Sequence, residues 1–282
     1  MRVLVFGAGG QLGGELVRVC RAQGDEVTAL TRREVDLADV AHVHDRVVEG
    51  RPGVVFNAAA YSAVDRAEED IAGANLVNAI APRAIAAAAA EAGAPLVHFS
   101  TDYVFDGTAT VPIAEDVEPN PLGVYGETKL VGEREVLESG ASAYVVRTSW
   151  LYGGAGPNFP LTVLRLAREK GEMRIVDDQR GSPTWARDLA VAARRLVDVG
   201  DPGVYHLSNS GDCTWYELAR AVVEERGLDA TVHPIPTSEY PTPARRPAYS
   251  VLANSRWQAL GEPPLRPWRE ALHDYVAELA DG

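Results

Sequence analysis

Lysine is almost missing from this chain. Of 27 basic side chains among 282 residues, two are lysines, Lys129 and Lys170, and the rest are arginines. Cysteine is equally scarce. Cys20 and Cys213 stand far apart, which excludes a disulfide framework and a thiolate metal cluster and points to a reducing, cytoplasmic setting. Positive charge is also in deficit. A formal net charge of −13 argues against a nucleic-acid groove and against an anionic membrane surface. Long apolar runs are lacking too. The opening "MRVLVFGAGG" has no cleavage-site pattern and does not read as a signal peptide. The Ala-rich "AIAPRAIAAAAA" is broken by Pro82 and Arg83 and reads as too short and too polar to cross a bilayer. What remains, at 46% hydrophobic and 24% charged, is an ordinary globular composition with ample material for a core.

In the first half, short β-rich apolar runs alternate with helical periodicity. "RVLVFGA", "EVTALT", "GVVFNAA", "PLVHFS" and "AYVVRTS" read as strands. Helices are expected at "GGELVRVCRAQG" and "VAHVHDRVVEG", from Pro82 (as first residue) to Gly93, and over 123–138. Strands alternating with helices imply right-handed crossovers and a Rossmann-type, doubly wound parallel α/β sheet. After Trp150, proline and glycine become frequent. Residues 1–150 therefore read as a dinucleotide-binding domain, to which later segments return. Residues 151–282 read as mainly a smaller, partly irregular substrate-binding domain over the sheet's carboxyl edge.

The chemistry concentrates in a few stretches. "GAGGQLG" follows the first strand and opens the first helix. Gly7, Gly10 and Gly13, with Gln11 and Leu12, suit a tight turn that brings backbone and helix N-terminus against a pyrophosphate. After the second strand, Arg32 and Arg33 stand where a carboxylate would favour NAD. Guanidinium forks there favour a 2′-phosphate and hence NADPH, with NADH as the alternative. Asp36 and Leu37 follow as candidate adenine contacts. Ala60, Tyr61 and Ser62, after the third strand, and Phe99, Ser100, Thr101, Asp102 and Tyr103, ending the fourth, lie where a flat cofactor and a ligand edge would meet. Arg245 and Arg246, on the proline-fixed loop "PTPARRP", suggest a diphosphate clamp.

The lysine that the chain does place, Lys129, stands one helical turn after Tyr125 in "VYGETKLVGE". A phenol titrates near ~10 unperturbed, and a neighbouring ammonium would lower that value. In carbonyl reduction Tyr125 would give the proton and Thr101 would polarise the oxygen, while Lys129 would also reach a nicotinamide ribose.

These features resemble the extended short-chain dehydrogenase/reductase family. Within it, "GQLG", "NAAAYSAVDRAE", "STDYVFDG", "VYGETKLVGE", "RTSWLYG", "DQRGSPT", "CTWYE" and "YPTPARRP" resemble the dTDP-4-dehydrorhamnose reductases. The resemblance implies hydride transfer from NAD(P)H to C4 of dTDP-4-dehydro-L-rhamnose, giving dTDP-L-rhamnose. It implies catalytic roles for Thr101, Tyr125 and Lys129. Gly10, Gln11, Leu12, Asp36, Leu37, Ala60, Tyr61, Ser62, Phe99, Tyr125 and Lys129 would lie at the cofactor, and Thr101, Asp102 and Trp150 at the substrate. Some members of that family dimerise around Mg²⁺. Here Glu15 matches a ligand position, but Arg187 stands where an acid is needed, so no metal and a monomer or weak homodimer are expected. Glu15 reads instead as a first-turn helix acid. The alternatives are a 4-ketoreductase for another dTDP-deoxysugar, or a non-catalytic dinucleotide-binding regulatory subunit.

Overall fold

The computed structural model describes residues 1–279. Strands β1 (Arg2–Phe6), β2 (Glu26–Leu30), β3 (Val54–Asn57), β4 (Leu96–Thr101) and β5 (Ala143–Thr148) form one parallel sheet. A sixth strand, Gly203–His206, completes it, in the order sixth–β5–β4–β3–β1–β2. β3, β4 and β5 are buried along their whole length, as strands covered on both faces must be. The edge strand β2 alternates instead.

The period of two sorts β1 between two cores. Val3 and Val5 join Leu12 and Leu16 of α1 (Gln11–Ala22) and Leu189 and Leu196 of Ala186–Val199 on one face. Leu4 and Phe6 join Val43 of α2 (Val40–Gly50) and Ile85 and Ala89 of the Ala-rich helix on the other. A further apolar cluster, including Tyr152, Trp185, Leu218, Trp268 and Leu272, holds the second half of the chain together.

Two expectations are corrected. The sequence reading stopped at five strands. The sixth, "GVYH", is only four residues long and too short to show a period, and pairing to β5 makes it a strand. Pro82 does not open a helix. α3 (Val64–Ala67) is separate, but α4 (Ile71–Asn75), a π turn (Leu76–Ile80) and α5 (Ala81–Ala92) run on without a break. Proline removes one N–H from the ladder and crowds the carbonyl four residues back. The wider π turn just before it accommodates both. The continuous stretch Ile71–Ala92 has 22 residues and contains an 18-residue window of mean hydropathy 1.2, long and apolar enough on those grounds to span a bilayer, contrary to the shorter reading. Its buried side, with Ala81, Ile85, Ala86, Ala88 and Ala89 inaccessible, packs on the sheet as a core helix.

Helix α6 (Val124–Leu137) is bound to β5 by a buried ion pair. Arg147 Nε lies 3.0 and 3.1 Å from the two Glu133 oxygens and Nη2 lies 2.7 Å from Oε2, with side chains 5% and 2% exposed. Ser100 donates to the same carboxylate, and the guanidinium lies over the Phe105 ring. Removing one partner strands the other charge away from water. Glu133→Ala is therefore expected to cost about 3–5 kcal/mol in urea unfolding, and pairing Glu133→Leu with Arg147→Met to recover most of it.

Candidate active site

The β1–α1 turn is built by close approach. Gly7 has φ +75°, and a Cβ on it would fall 2.6 Å from the Ala59 nitrogen. A Cβ on Gly13 would fall 2.1 Å from the Gly7 carbonyl oxygen. Gly10 begins α1 with no side-chain cap, so the first N–H groups of the helix stay available to an anion. Gln11 donates to the Pro157 carbonyl (3.1 Å), while its Oε1 is buried without a partner, and Leu12 packs in the core.

Arg32 and Arg33 stand exposed beyond β2, Arg33 beside the Glu34 carboxylate. Asp36 accepts from the Ala38 N–H (3.0 Å), and Leu37 packs partly under the sheet. The loop carrying Ala60, Tyr61 and Ser62 is fixed by Asn78 of the π turn, whose Oδ1 accepts from Tyr61 N (2.9 Å) and whose Nδ2 donates to Tyr61 O (3.2 Å).

The carboxyl end of β4 meets the first turn of α6. Thr101 is within hydrogen-bonding reach of the Tyr125 phenol and donates to Asp102 Oδ1 at 3.1 Å. Burial pushes the phenol up to about 12. The Thr101 hydrogen bond opposes that, and the Asp102 charge adds to it. The acidifying ammonium expected from the sequence is not in place. Lys129, 1% exposed, donates to the Phe99 carbonyl (2.6 Å) and lies 3.5 Å from His98 Nε2. Burial draws its ammonium down to about 8 against the pull of Glu133. One turn of separation put both side chains on one helix face, but the sheet's backbone captured the amine.

Other expectations are revised by burial and pairing. The Phe99 ring is in the core, so its backbone carbonyl is what it offers the site. Asp102 is 1% exposed, with Oδ2 unpartnered. Arg245 and Arg246 do not act as a pair. Arg246 grips Asp65 with Nη1 and Nη2 at 2.8 Å each, because a carboxylate of α3 lies beneath the loop. Arg245 is exposed, unpaired among the described residues, and lines a narrow cleft with Tyr103 and Tyr125. Trp150 has φ +46°, and its ring stacks on Trp215 at 3.5 Å and 6°. Glu15 lies past the first turn of α1, buried, with Arg18 (2.9 Å) and Arg187 (3.2 Å) on its carboxylate. Positive charge thus fills the place a cation would take, and among the described residues no cluster of three or more acidic, His or Cys side chains is suited to a metal. A hollow of about 780 Å³ is lined by Lys170, Glu172, Arg174, His233 and Glu239. None of the site residues described above lines it.

Sequence reasoning missed Asn78, His98 and Glu68. Asn78 and His98 left a signal, as polar residues inside apolar runs, whereas Glu68 lies in the acidic stretch after α3 and left none. Glu68 Oε1 accepts from Val124 N (3.0 Å) and caps α6.

A parallel sheet with this glycine turn and a Tyr-x-x-x-Lys helix at its carboxyl edge defines a dinucleotide-binding protein of reductase type. The chain matches the family described as RmlD substrate binding domain over residues 1–281, and it belongs to that family. It is 46% identical to a dTDP-4-dehydrorhamnose reductase of Streptomyces griseus, over 99% of this chain and 94% of that one. It is 45% identical to a probable dTDP-4,6-dihydroxy-2-methyloxan-3-one 4-ketoreductase of Streptomyces antibioticus, over 99% and 96%. Among solved structures, the dTDP-4-dehydrorhamnose reductase of Bacillus anthracis in complex with NADP superposes with TM-score 0.96 at 36% identity, covering 99% of each chain.

Burial pushes Asp102 up to about 6, against the hydrogen bonds from Ser250 and Thr101. Its unfolded value is near ~3.9. The folded state thus binds the proton more tightly, and stability is lost as pH rises from ~4 through 6. Asp102→Asn is expected to unfold at higher urea than the parent at pH ~7, by about 2 kcal/mol, and to lose that advantage near pH ~4.

Proposed function

We propose that this protein is an NAD(P)H-dependent oxidoreductase that reduces the C4 carbonyl of dTDP-4-dehydro-L-rhamnose to dTDP-L-rhamnose. The observation that carries the reading is the Thr101–Tyr125 contact at the sheet's carboxyl edge, in a chain nearly half identical along its length to a dTDP-4-dehydrorhamnose reductase. The residues fit a dinucleotide. The Gly7 and Gly13 turn lets backbone segments approach where side chains would clash, the α1 N-terminus is uncapped, and the exposed Arg32 and Arg33 could meet a 2′-phosphate. Asp36, Leu37, Ala60, Tyr61, Ser62 and the Phe99 backbone would line the rest of its path. NADPH supplies the hydride when bound.

The protein's part is to hold and deliver a proton. A phenol near 12 keeps its proton at neutral pH until negative charge develops on the carbonyl oxygen. Tyr125 then transfers it, and Thr101 hydrogen-bonds the same oxygen. The single Thr101 O–H that Asp102 accepts turns from that carboxylate to the substrate oxygen when it binds. Arg245 would meet the nucleotide diphosphate, and Trp150, backed by Trp215, would shape the sugar slot. The acidic, cysteine-poor chain would act on this small anionic substrate in the cytoplasm as a monomer or weak homodimer, away from nucleic acid and membranes. The Streptomyces antibioticus relative, whose printed name is a probable 4-ketoreductase, favours as second reading a ketoreductase for another dTDP-deoxysugar.

Supplying dTDP-glucose with a dehydratase and an epimerase, and following NADPH absorbance, tests the substrate. A product other than dTDP-L-rhamnose supports the second reading, and no NADPH consumption overturns the first. In that assay Tyr125→Phe is expected to lower kcat by about 10²–10⁴ while cofactor titration is unchanged. Arg245→Ala is expected to raise KM for the nucleotide sugar roughly tenfold and to leave KM for NADPH nearly constant, consistent with loss of one charged contact. Equal changes in both constants would remove Arg245 from the substrate side.

A further inference from the structure

Behind the candidate site lies a polar chain that the reaction as described does not use. His98 sits mid-strand in β4 and is fully buried. Its Nδ1 lies 3.0 Å from Asn57 Nδ2 on the neighbouring strand β3, and its Nε2 lies 3.5 Å from Lys129 Nζ on α6. An imidazole carries its hydrogen on one nitrogen or the other, and its partners decide which. Asn57 Oδ1 faces the Ala59 N–H at 3.3 Å, so the carboxamide turns its NH₂ toward His98. Nδ1 must then accept, and the ring hydrogen is left on Nε2, facing the amine of Lys129.

An N–H aimed at an ammonium is a donor facing a donor. The same N–H aimed at a neutral amine is a hydrogen bond. We propose that His98 is a positioning residue for the reaction: held by Asn57, it turns an Nε2–H toward Lys129, fixes where that amine sits and weakens its hold on a proton. The inference rests on the reductase reading of Tyr125 and Lys129. His98 itself stays uncharged, since burial and then the neighbouring Lys129 charge hold it well below the usual imidazole range.

The other charged groups near Lys129 act in the opposite direction or are neutralised. Glu133, one turn on, favours the ammonium, but its carboxylate is shared with Arg147 of β5 and Ser100 of β4. Asp102 at the end of β4 faces Thr101, and the Tyr125 phenol is uncharged near neutrality.

The scarcity of lysine makes the test direct. Protein grown on isotope-labelled lysine gives two side-chain signals, from Lys129 and from the exposed Lys170, which serves as internal reference. In His98→Leu the donor is gone and the site stays apolar, so the Lys129 midpoint is expected to rise by about one pH unit. A fall, the result if Nε2 had been accepting from the ammonium, or no change, would overturn the proposal. Nitrogen-15 histidine spectra of the unaltered protein give a second readout that does not depend on the variant folding. His98 is expected to show a bare Nδ1 and a protonated Nε2, unchanged between pH ~6 and ~9. A bare Nε2, or a ring that titrates in that range, would overturn it. Neither measurement uses substrate or cofactor, so a failure here is separate from a failure of the proposed activity.

Discussion

A 2.6 Å hydrogen bond from the Lys129 ammonium to the carbonyl of Phe99 joins helix α6 to strand β4, and the site depends on that seam. Burying a long cationic side chain is costly unless its donors are met. The helix that carries it has little apolar surface to offset this. Of its buried residues Gly126, Thr128, Lys129, Leu130, Gly132, Glu133 and Val136, two are aliphatic hydrophobes. Polar contacts in register hold α6 instead. Glu68 caps its start, Asn78 Nδ2 donates to Thr128 (3.1 Å), Lys129 reaches β4, and Glu133 grips Arg147 of β5. The glycines make these contacts reachable. A Cβ on Gly126 would fall 2.2 Å from the Tyr103 carbonyl oxygen, and one on Gly132 would fall 2.0 Å from that of Asn78. Close backbone approach and buried charge are thus one constraint. Without the glycines, α6 would sit further out and Lys129 would lose its carbonyl.

That seam sets the proton chemistry. Desolvation moves the phenol and the ammonium in opposite senses, up to about 12 and down to about 8, because it penalises whichever form is charged. The result differs from a picture in which an ammonium simply acidifies the tyrosine. Tyr125 remains a firmly protonated donor, which suits reduction, while Lys129 becomes the group closer to neutrality. The more weakly held proton then stands one helical turn behind the more firmly held one.

Most of the frame was legible in the residue pattern. The five long strand runs, the glycine turn and the helix bearing Tyr125 fall where the periodicity put them, since each is specified by local alternation or by a steric need for glycine. Failures occurred where a partner distant in sequence decides. "GVYH" becomes a strand only against β5, and Pro82 is absorbed only because a π turn precedes it. Arg246 looked as free as Arg245 until Asp65, 181 positions away, was found beneath it. His98 and Asn57 are polar residues within otherwise mostly apolar strands. Their meaning needs adjacent strands in register, Asn57 beside His98, which is a property of the sheet.

Four of the eight buried side-chain atoms without a partner among the described residues, Asp102 Oδ2, Arg147 Nη1, Thr148 Oγ1 and His206 Nε2, lie toward the carboxyl ends of β4, β5 and the sixth strand. Trp150, in a left-handed conformation that a bulky residue rarely adopts, follows directly from β5. A domain free to maximise stability would neutralise or pair such groups, and Asp102 is the plainest case, a carboxyl that burial holds at about 6. The presence of these four at that edge follows if the same positions must keep dipoles and an aromatic wall ready for a ligand that supplies the missing partners on binding. The buried Glu133–Arg147 pair and the three apolar clusters then have a clear task, which is to hold that edge rigid while it remains incomplete.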